Sequence, residues 1–488
     1  MTTSENSPSE NSPSEIYDVI VIGAGPAGED AADYAIRGSD RTAAIIEEQL
    51  VGGECSYWAC MPSKALLGAG AALDRAVALP GSRGRVTTSA PDASALLDWR
   101  TRIAGRDDTG QVQWLDSAGI DLIRGRGRIV GERVVEVGGR TVRAREAVVL
   151  ATGSAAVIPP VAGLADALPW TSRDATNLLE VPGRIAILGG GVVACEAATW
   201  CADLGAAVTM VVRGETLLPS MEPFAGQRVV EELRERGVDI RFGSTFTEVS
   251  RPDVVDTGYG RIHGGPVAAT IAGHGGHAER FEVDEILVAA GRRPGLAGLG
   301  LDSLGIDPSR PLDVDDHLNV AGHDWLYAVG DVNGRAPLTH MGKYQARVVG
   351  DVIAARASGT AFDPRHAATS DHGAIPQVVF TRPQVASVGI TEAEARAAGH
   401  AVAVSDLDIA VAGSAVERED YRGHATLVID SDRDVLIGAT FVGPDIAELL
   451  HSATVAVVGE VPLSRLWHAV PAYPTVSEVW LRLLENLR

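Results

Sequence analysis

The apolar positions of this chain fall into short runs separated by glycine-rich turns. From Tyr17 to Ile22 they form a β-branched stretch that predicts a buried strand. The glycines of GAGPAG follow, then the run AADYAI at helical spacing, then a second apolar strand, TAAIIEE, ending at Glu47. The same order returns at Arg184 to Leu188, where an apolar strand runs into GGGVVACE, a helix, and the strand AAVTMVV. Strand, glycine turn, helix, strand is the pattern of a parallel α/β protein, and its recurrence marks an internal duplication. Toward the C-terminus the pattern changes. HATLVID and DVLIGATFVG read as antiparallel strands, and DIAELLHSATVAVVG reads as a helix packed on them. At the other end SENSP occurs twice in a polar, Pro- and Ser-rich stretch, so residues 1–15 are expected to form a disordered tail.

Each glycine turn is a candidate nucleotide site. Gly23, Gly25 and Gly28 give GxGxxG: the first permits a tight turn, the second lets a pyrophosphate approach the backbone, and the third lets helix and strand close together. The helix N-terminus then faces the phosphates. Glu47 stands 24 residues after Gly23, where a carboxylate can accept hydrogen bonds from both ribose hydroxyls of an adenosine. In the second unit Gly189, Gly191 and Ala194 give GxGxxA, and the residue 24 after Gly189 is Arg213. A guanidinium there grips a 2′-phosphate that a carboxylate would repel. The second unit is therefore expected to bind NADPH, with NADH as the alternative because no second basic residue follows within GETLLPSMEPF. Two such units imply two dinucleotides, one held permanently and one exchanging, the layout of a flavoprotein supplied by a nicotinamide cofactor.

Length and charge narrow the partners. The 488 residues amount to roughly three domains at about 150 residues each. Against 64 Asp plus Glu there are only 42 Lys plus Arg, and a net charge of -22 repels nucleic-acid backbones and anionic lipid surfaces. Neither nucleic acid nor a membrane is expected as a partner. No run approaches the roughly 18 apolar residues of a membrane span, and no basic start with an apolar core opens the chain, so a cytoplasmic protein is expected.

Four cysteines are too few for a disulfide framework. Cys195 and Cys201 lie six apart on the second fingerprint helix, about 120° from each other around its axis, and are read as packing residues. Cys55 and Cys60 lie in VGGECSYWACMPSK. Helical geometry would set residues five apart about 140° around the axis, so bridging them requires Cys55 to sit on an irregular turn. Gly52 and Gly53 supply that turn, and Pro62 limits helical continuity from the other side. Lys64 brings an ammonium near the pair, which with helix N-terminal amides favours the reactive thiolate. No metal site is expected, since His263, His274 and His277 have no cysteine or carboxylate at ligand spacing.

Taken together, these segments resemble the class I pyridine nucleotide-disulfide oxidoreductases over residues 16–488. The resemblance is carried by GAGPAG, GGxCxxxxCxPSK, ATGS at Ala151 to Ser154, the second fingerprint, VAAGRRPG at Val288 to Gly295, YAVGDV at Tyr327 to Val332, and PQVVFTRPQVASVGIT. It implies an α/β fold with two Rossmann-like dinucleotide-binding domains, for FAD and NAD(P), and a C-terminal α+β dimerisation domain. FAD would be held by residues 16–157 together with 291–362, the nicotinamide by 158–290, and residues 363–488 would form the interface. Beyond the fingerprint, it assigns cofactor contacts to Gly53, Lys64, Gly127, Thr152, Gly153, Glu196, Gly291, Gly330, Asp331, Leu338, Thr339 and His340. It implies electron flow from NADPH through flavin to a Cys55–Cys60 disulfide, with Cys60 against the flavin and Cys55 attacking a small disulfide or related acceptor. A homodimer with an active site shared between subunits follows from the same resemblance.

The chain departs from the family at one chemical position. The family's HPTxSE reads YPTVSE here, with Tyr473 in place of the catalytic histidine and Glu478 retained. Histidine titrates near 6.5 and can both take and return a proton at neutral pH, whereas a phenol near 10 is a poor base. Tyr473 is thus expected to donate, and Glu478 to accept the Tyr473 hydroxyl. His468 is read as a packing or surface residue. The departure favours an alternative, a reductase for quinones, dyes or metal ions. Mercuric reductase itself is disfavoured, because no cysteine follows Cys201 and no metal-binding N-terminal domain is read in the chain.

Overall fold

The computed structural model describes residues 15–88, 90–273 and 278–487. The described residues divide into two compact units, the first drawn from within Met1–Cys55, Arg106–Ala155 and Arg293–Thr369, the second from within Ser56–Gly105, Ala156–Arg292 and Ser370–Arg488.

The first unit is built on a seven-stranded sheet. Its central strand is Glu15–Ile22, flanked in parallel by Ala43–Glu47 and Arg140–Leu150. Ile120–Arg124 continues the parallel run on one side and Leu326–Ala328 pairs in parallel with Arg140–Leu150. The first strand begins at Glu15, inside the expected tail, because Glu15 pairs with Val142. Val19, Ile20 and Val21 are fully buried, as expected where both faces of a parallel sheet are covered. Helices Pro26–Ile36 and Thr339–Ser358 pack against each other, and Gly350 allows the approach: a Cβ there would stand 2.4 Å from that of Tyr34. Residues 1–14 lie outside the described residues.

The second unit holds a four-stranded parallel sheet in the order Asp239–Arg241, Ala207–Val211, Arg184–Leu188, Glu285–Val288. A three-stranded antiparallel sheet and a five-stranded antiparallel sheet complete it. The latter includes His424–Asp430 and Val435–Gly443, the two alternating segments read from the sequence. The helix beyond them spans Leu449–Val458 and starts later than the apolar pattern suggests, since Asp445 takes a left-handed φ of 55° that an α-helix cannot contain.

The helix Val192–Asp203 is buried from Ala194 to Cys201. Cys195 and Cys201 are both fully buried, in keeping with packing roles, and burial pushes the Cys201 thiol up to about 12 and the Cys195 thiol higher still. A second buried feature is the Arg251–Glu285 ion pair, 2.5 Å apart and wholly screened from solvent. Glu285 also accepts the His263 backbone N–H at 3.1 Å, so buried His263 helps to anchor the loop that carries it. His274 and His277 lie outside the described residues. Among the described residues no helix is long and apolar enough to cross a membrane, and no three His, Cys, Asp or Glu side chains converge as metal ligands would.

Candidate functional site

In the first unit the glycine turn is closed on one side and open on the other. Gly23 has φ 102°, and a Cβ there would stand 2.5 Å from the Ala151 carbonyl oxygen. At Gly28 a Cβ would lie 1.9 Å from the Gly23 carbonyl oxygen, so helix and strand meet as closely as backbone allows. At Gly25 a Cβ would meet nothing within 4 Å, which is the open face a pyrophosphate needs. Gly53 presses on the same turn, its own Cβ position only 2.6 Å from Gly25 Cα.

Glu47, at the end of the second strand, is fixed by backbone. Its Oε2 accepts the Ala24 N–H at 2.8 Å and its Oε1 the Gln49 N–H at 2.7 Å. Each oxygen keeps a further lone pair for a ribose hydroxyl. Gly127 lies in the strand Gly127–Gly131 with its Cβ position 3.2 Å from the Ile22 side chain and 3.3 Å from that of Ile46, against the ends of both strands that carry the turn. The Thr152 hydroxyl is buried without a hydrogen-bond partner. Gly153 accepts the Gly295 N–H at 2.8 Å. Ser154 donates to the Asp331 carboxylate, and the Gly330 N–H donates to the buried Gln345 side chain at 2.8 Å. Leu338 caps the helix Thr339–Ser358, which sets Thr339 and His340 in its first turn. An open glycine face, an orphaned hydroxyl and a carboxylate at the strand end fit the adenosine and pyrophosphate of FAD.

The second unit repeats the turn with variations. Gly189 has φ 136° with its Cβ position 2.3 Å from the Ala289 carbonyl oxygen, and Gly191 opens onto free space. Ala194 occupies the third fingerprint position, fully buried. Arg213 follows the strand Ala207–Val211 on an exposed loop, with no ion pair or hydrogen bond among the described residues. The open glycine turn fits a nicotinamide dinucleotide. Gly291 is exposed, and its carbonyl accepts the Val157 N–H at 3.1 Å.

Cys55 belongs to the short helix Gly53–Tyr57, whereas Cys60 opens the 19-residue helix Cys60–Ala78. Both cysteines are half-buried. The break between the helices falls at Ala59, whose φ of -136° and ψ of -93° are not helical. Pro62 limits continuity as expected. It sits in the first turn of the second helix, where no intrahelical N–H bond is lost, whereas a helix continued back through Tyr57 would need one from Pro62 to the Trp58 carbonyl, which instead accepts the Thr176 hydroxyl at 2.9 Å. Lys64 lies one turn beyond Cys60 on the same face. Its Nζ stands 2.8 and 3.1 Å from the two carboxylate oxygens of Glu196, which is buried on the second fingerprint helix. Glu196 also accepts the Phe380 N–H at 2.9 Å, and Lys64 Nζ sits 4.7 Å from the Phe380 ring centroid. Phe380 stands inside the PQVVFTRPQ segment, where nothing local to the sequence marks its contact with Glu196 and Lys64.

The C-terminal pair differs from expectation. Tyr473 is 76% exposed. Glu478 does not accept its hydroxyl; Oε2 instead receives the Gly413 N–H at 3.2 Å, because the chain at Thr475 packs directly on Gly413. His468 is exposed at the end of a short helix.

Comparison with known proteins gives this geometry its setting. Residues 17–350 match the pyridine nucleotide-disulphide oxidoreductase family, and residues 375–483 match the dimerisation domain of that family. The chain belongs to this family. It is 31% identical to a glutathione reductase of Burkholderia cepacia, over 96% of this chain and 98% of that one. It is 28% identical to a mercuric reductase of Staphylococcus aureus, over 97% of this chain and 84% of the relative. The fold matches that of the HOCl-induced flavoprotein disulfide reductase RclA from Escherichia coli in its Cu(II) complex, with a TM-score of 0.81 at 24% identity, covering 97% of this chain and all of the other. This oxidoreductase accordingly uses FAD and NAD(P)H, and its reaction carries electrons from the nicotinamide through the flavin to a disulfide.

Proposed function

We propose that Cys55 and Cys60 form the redox-active disulfide, that NADPH is the preferred donor, and that the acceptor is a small disulfide or related molecule. The observation that carries this reading is Cys60 at the start of a long helix with Lys64 one turn on, tied through Glu196 to the second fingerprint helix. FAD, when bound, supplies the two-electron relay between nicotinamide and disulfide. The open faces at Gly25 and Gly191 receive the two pyrophosphates, Glu47 holds the adenosine ribose, and Arg213 takes the 2′-phosphate. A hydride from NADPH and one proton from solvent together reduce the disulfide to two thiols. The Cys55 thiolate then attacks the acceptor disulfide and releases one thiol; Cys60 displaces the second and restores the internal bond.

Residues 16–157 with 291–362 are assigned to FAD, 158–290 to the nicotinamide and 363–488 to a homodimer interface that shares the active site. The match to a dimerisation domain supports the last assignment, as do the exposed Val455, Val458, Val470 and Tyr473, since an apolar surface of this kind calls for a cover. A cytoplasmic location suits thiols that must be kept reducible.

Tyr473 favours a second reading. At neutral pH a phenol donates a proton more readily than it accepts one, so deprotonation of the attacking thiol is unassisted and acceptors that need no thiol exchange gain. Quinones, dyes and soft metal ions are such acceptors, and the mercuric reductase among the relatives points the same way. Steady-state assays with glutathione disulfide, lipoamide and a quinone, in the wild type and in Tyr473→His, separate the readings. Disulfide turnover that rises at least tenfold in Tyr473→His, with quinone turnover unchanged, supports the role assigned to Tyr473. Wild-type disulfide turnover equal to that of Tyr473→His contradicts it.

A further inference from the structure

The helices Cys60–Ala78 and Val192–Asp203 meet at two junctions. At the first, Glu196 bonds both Lys64 Nζ and the Phe380 N–H. At the second, the buried carboxylate of Asp203 pairs with Arg382 and, at 3.3 Å, with Arg236. Gly70 lies against this pair, for a Cβ there would stand 2.2 Å from Asp203 Oδ2 and 2.8 Å from Arg382 Nη1. The contacts advance together, from Lys64 to Gly70 on one helix and from Glu196 to Asp203 on the other, so the helices run side by side in the same sense. The segment 380–382 touches both junctions, through Phe380 at one and Arg382 at the other. Contacts about 9 Å apart along a helix, at about 1.5 Å per residue, fix both its axial position and its rotation.

We infer that Gly70, Asp203 and Arg382 are positioning residues that set the register of the redox helix, and through it the placement of Cys60 and Lys64. The inference rests on the proposed role of the Cys55–Cys60 disulfide. A glycine inside a helix costs backbone entropy and is explained by a close approach. Gly68 provides the contrast on the same helix, since a Cβ there would meet nothing within 4 Å. Nothing in the chemistry requires a glycine at position 70 except the passage of the Asp203–Arg382 pair beneath it.

The test uses the full-length, FAD-loaded protein reduced anaerobically with NADPH, reading the long-wavelength thiolate–flavin absorbance, the rate of flavin reduction and the FAD content. Gly70→Ala is expected to keep its FAD but to lose most of the long-wavelength absorbance and to slow reduction on the order of tenfold to a hundredfold, the scale of an ångström's misplacement. Gly68→Ala is expected to match the wild type. Arg382→Met should follow Gly70→Ala, and Arg382→Lys, which keeps the charge, should recover much of the signal. Wild-type absorbance and rate in either Gly70→Ala or Arg382→Met overturn the inference, so it stays testable even where one variant does not fold. A wild type that gains no thiols on reduction instead sinks the disulfide assignment, and shows it before any variant is made.

Discussion

The two glycine fingerprints follow one plan but treat their ligands differently. In the first, the third position must be Gly28, because a Cβ would stand 1.9 Å from the Gly23 carbonyl; in the second, Ala194 fits the same place without exposure. At the ends of the following strands, Glu47 is held by two backbone N–H groups, whereas Arg213 is exposed with no partner among the described residues. A preformed, tightly closed cradle suits a cofactor bound throughout the catalytic cycle. A turn with room for Ala194 at its third position and an exposed guanidinium beyond it suits one that arrives and leaves. The difference lies in how much of each site is built before the ligand comes.

The comparison breaks most readily at Gly28. Gly28→Ala should force helix and strand apart, destabilise the protein by about 3 kcal/mol and leave it largely without FAD, as absorbance near the flavin maximum and a denaturation curve will show. Full FAD occupancy in this variant would remove the contrast between the turns.

An effect of similar size is expected with pH. The residue after Gly28 is Glu29, whose carboxyl burial pushes up from 4.5 to about 7, against partial relief from Lys343, while Asp30 and Glu47 add to the rise. Below pH 4.5 the group is neutral whether the chain is folded or unfolded. Between 4.5 and about 7 the unfolded chain ionises first, so stability falls as pH rises and levels off above about 7. The total is on the order of 3 kcal/mol. Urea unfolding at pH 5 and pH 8 in the wild type and in Glu29→Gln measures it; the variant should lose this part of the slope.

At the second site Arg213→Ala should lower kcat/KM for NADPH by roughly tenfold to a hundredfold, the worth of a charge-assisted hydrogen bond, and leave NADH almost unchanged. Equal loss for both nucleotides would show that Arg213 does not read the 2′-phosphate. The smallest effect is expected from Ala194→Gly, about 1–2 kcal/mol of stability from helix propensity and the loss of one buried methyl, with FAD and nucleotide kinetics retained. A large kinetic effect there would show that the second turn is as tightly closed as the first.

Much of this was legible in the sequence because it is local. The strand Arg184–Leu188 has the bounds its apolar run indicates, and both glycine turns fall between strand and helix. The first strand extends to Glu15 because a neighbouring strand supplies Val142 as partner, and pairing across such a distance leaves no trace in local hydropathy. Pro62 was legible because its effect is local: a proline is tolerated in a first turn and not in a helix interior, and the helix carrying Cys60 begins two residues before it. Glu478 found the Gly413 N–H in place of Tyr473, a choice made by chain packing at Thr475. Phe380 at Glu196 and Arg382 at Asp203 escaped notice for the same reason, since each joins residues nearly two hundred positions apart.

The central claim is that electrons from the nicotinamide reach the Cys55–Cys60 pair. Anaerobic titration of the FAD-loaded protein with NADPH, with thiols counted under denaturing conditions before and after, tests it most directly. The account predicts two new thiols per chain on uptake of two electrons, absent in Cys55→Ser. Flavin bleaching at the first equivalent with no new thiols would contradict it.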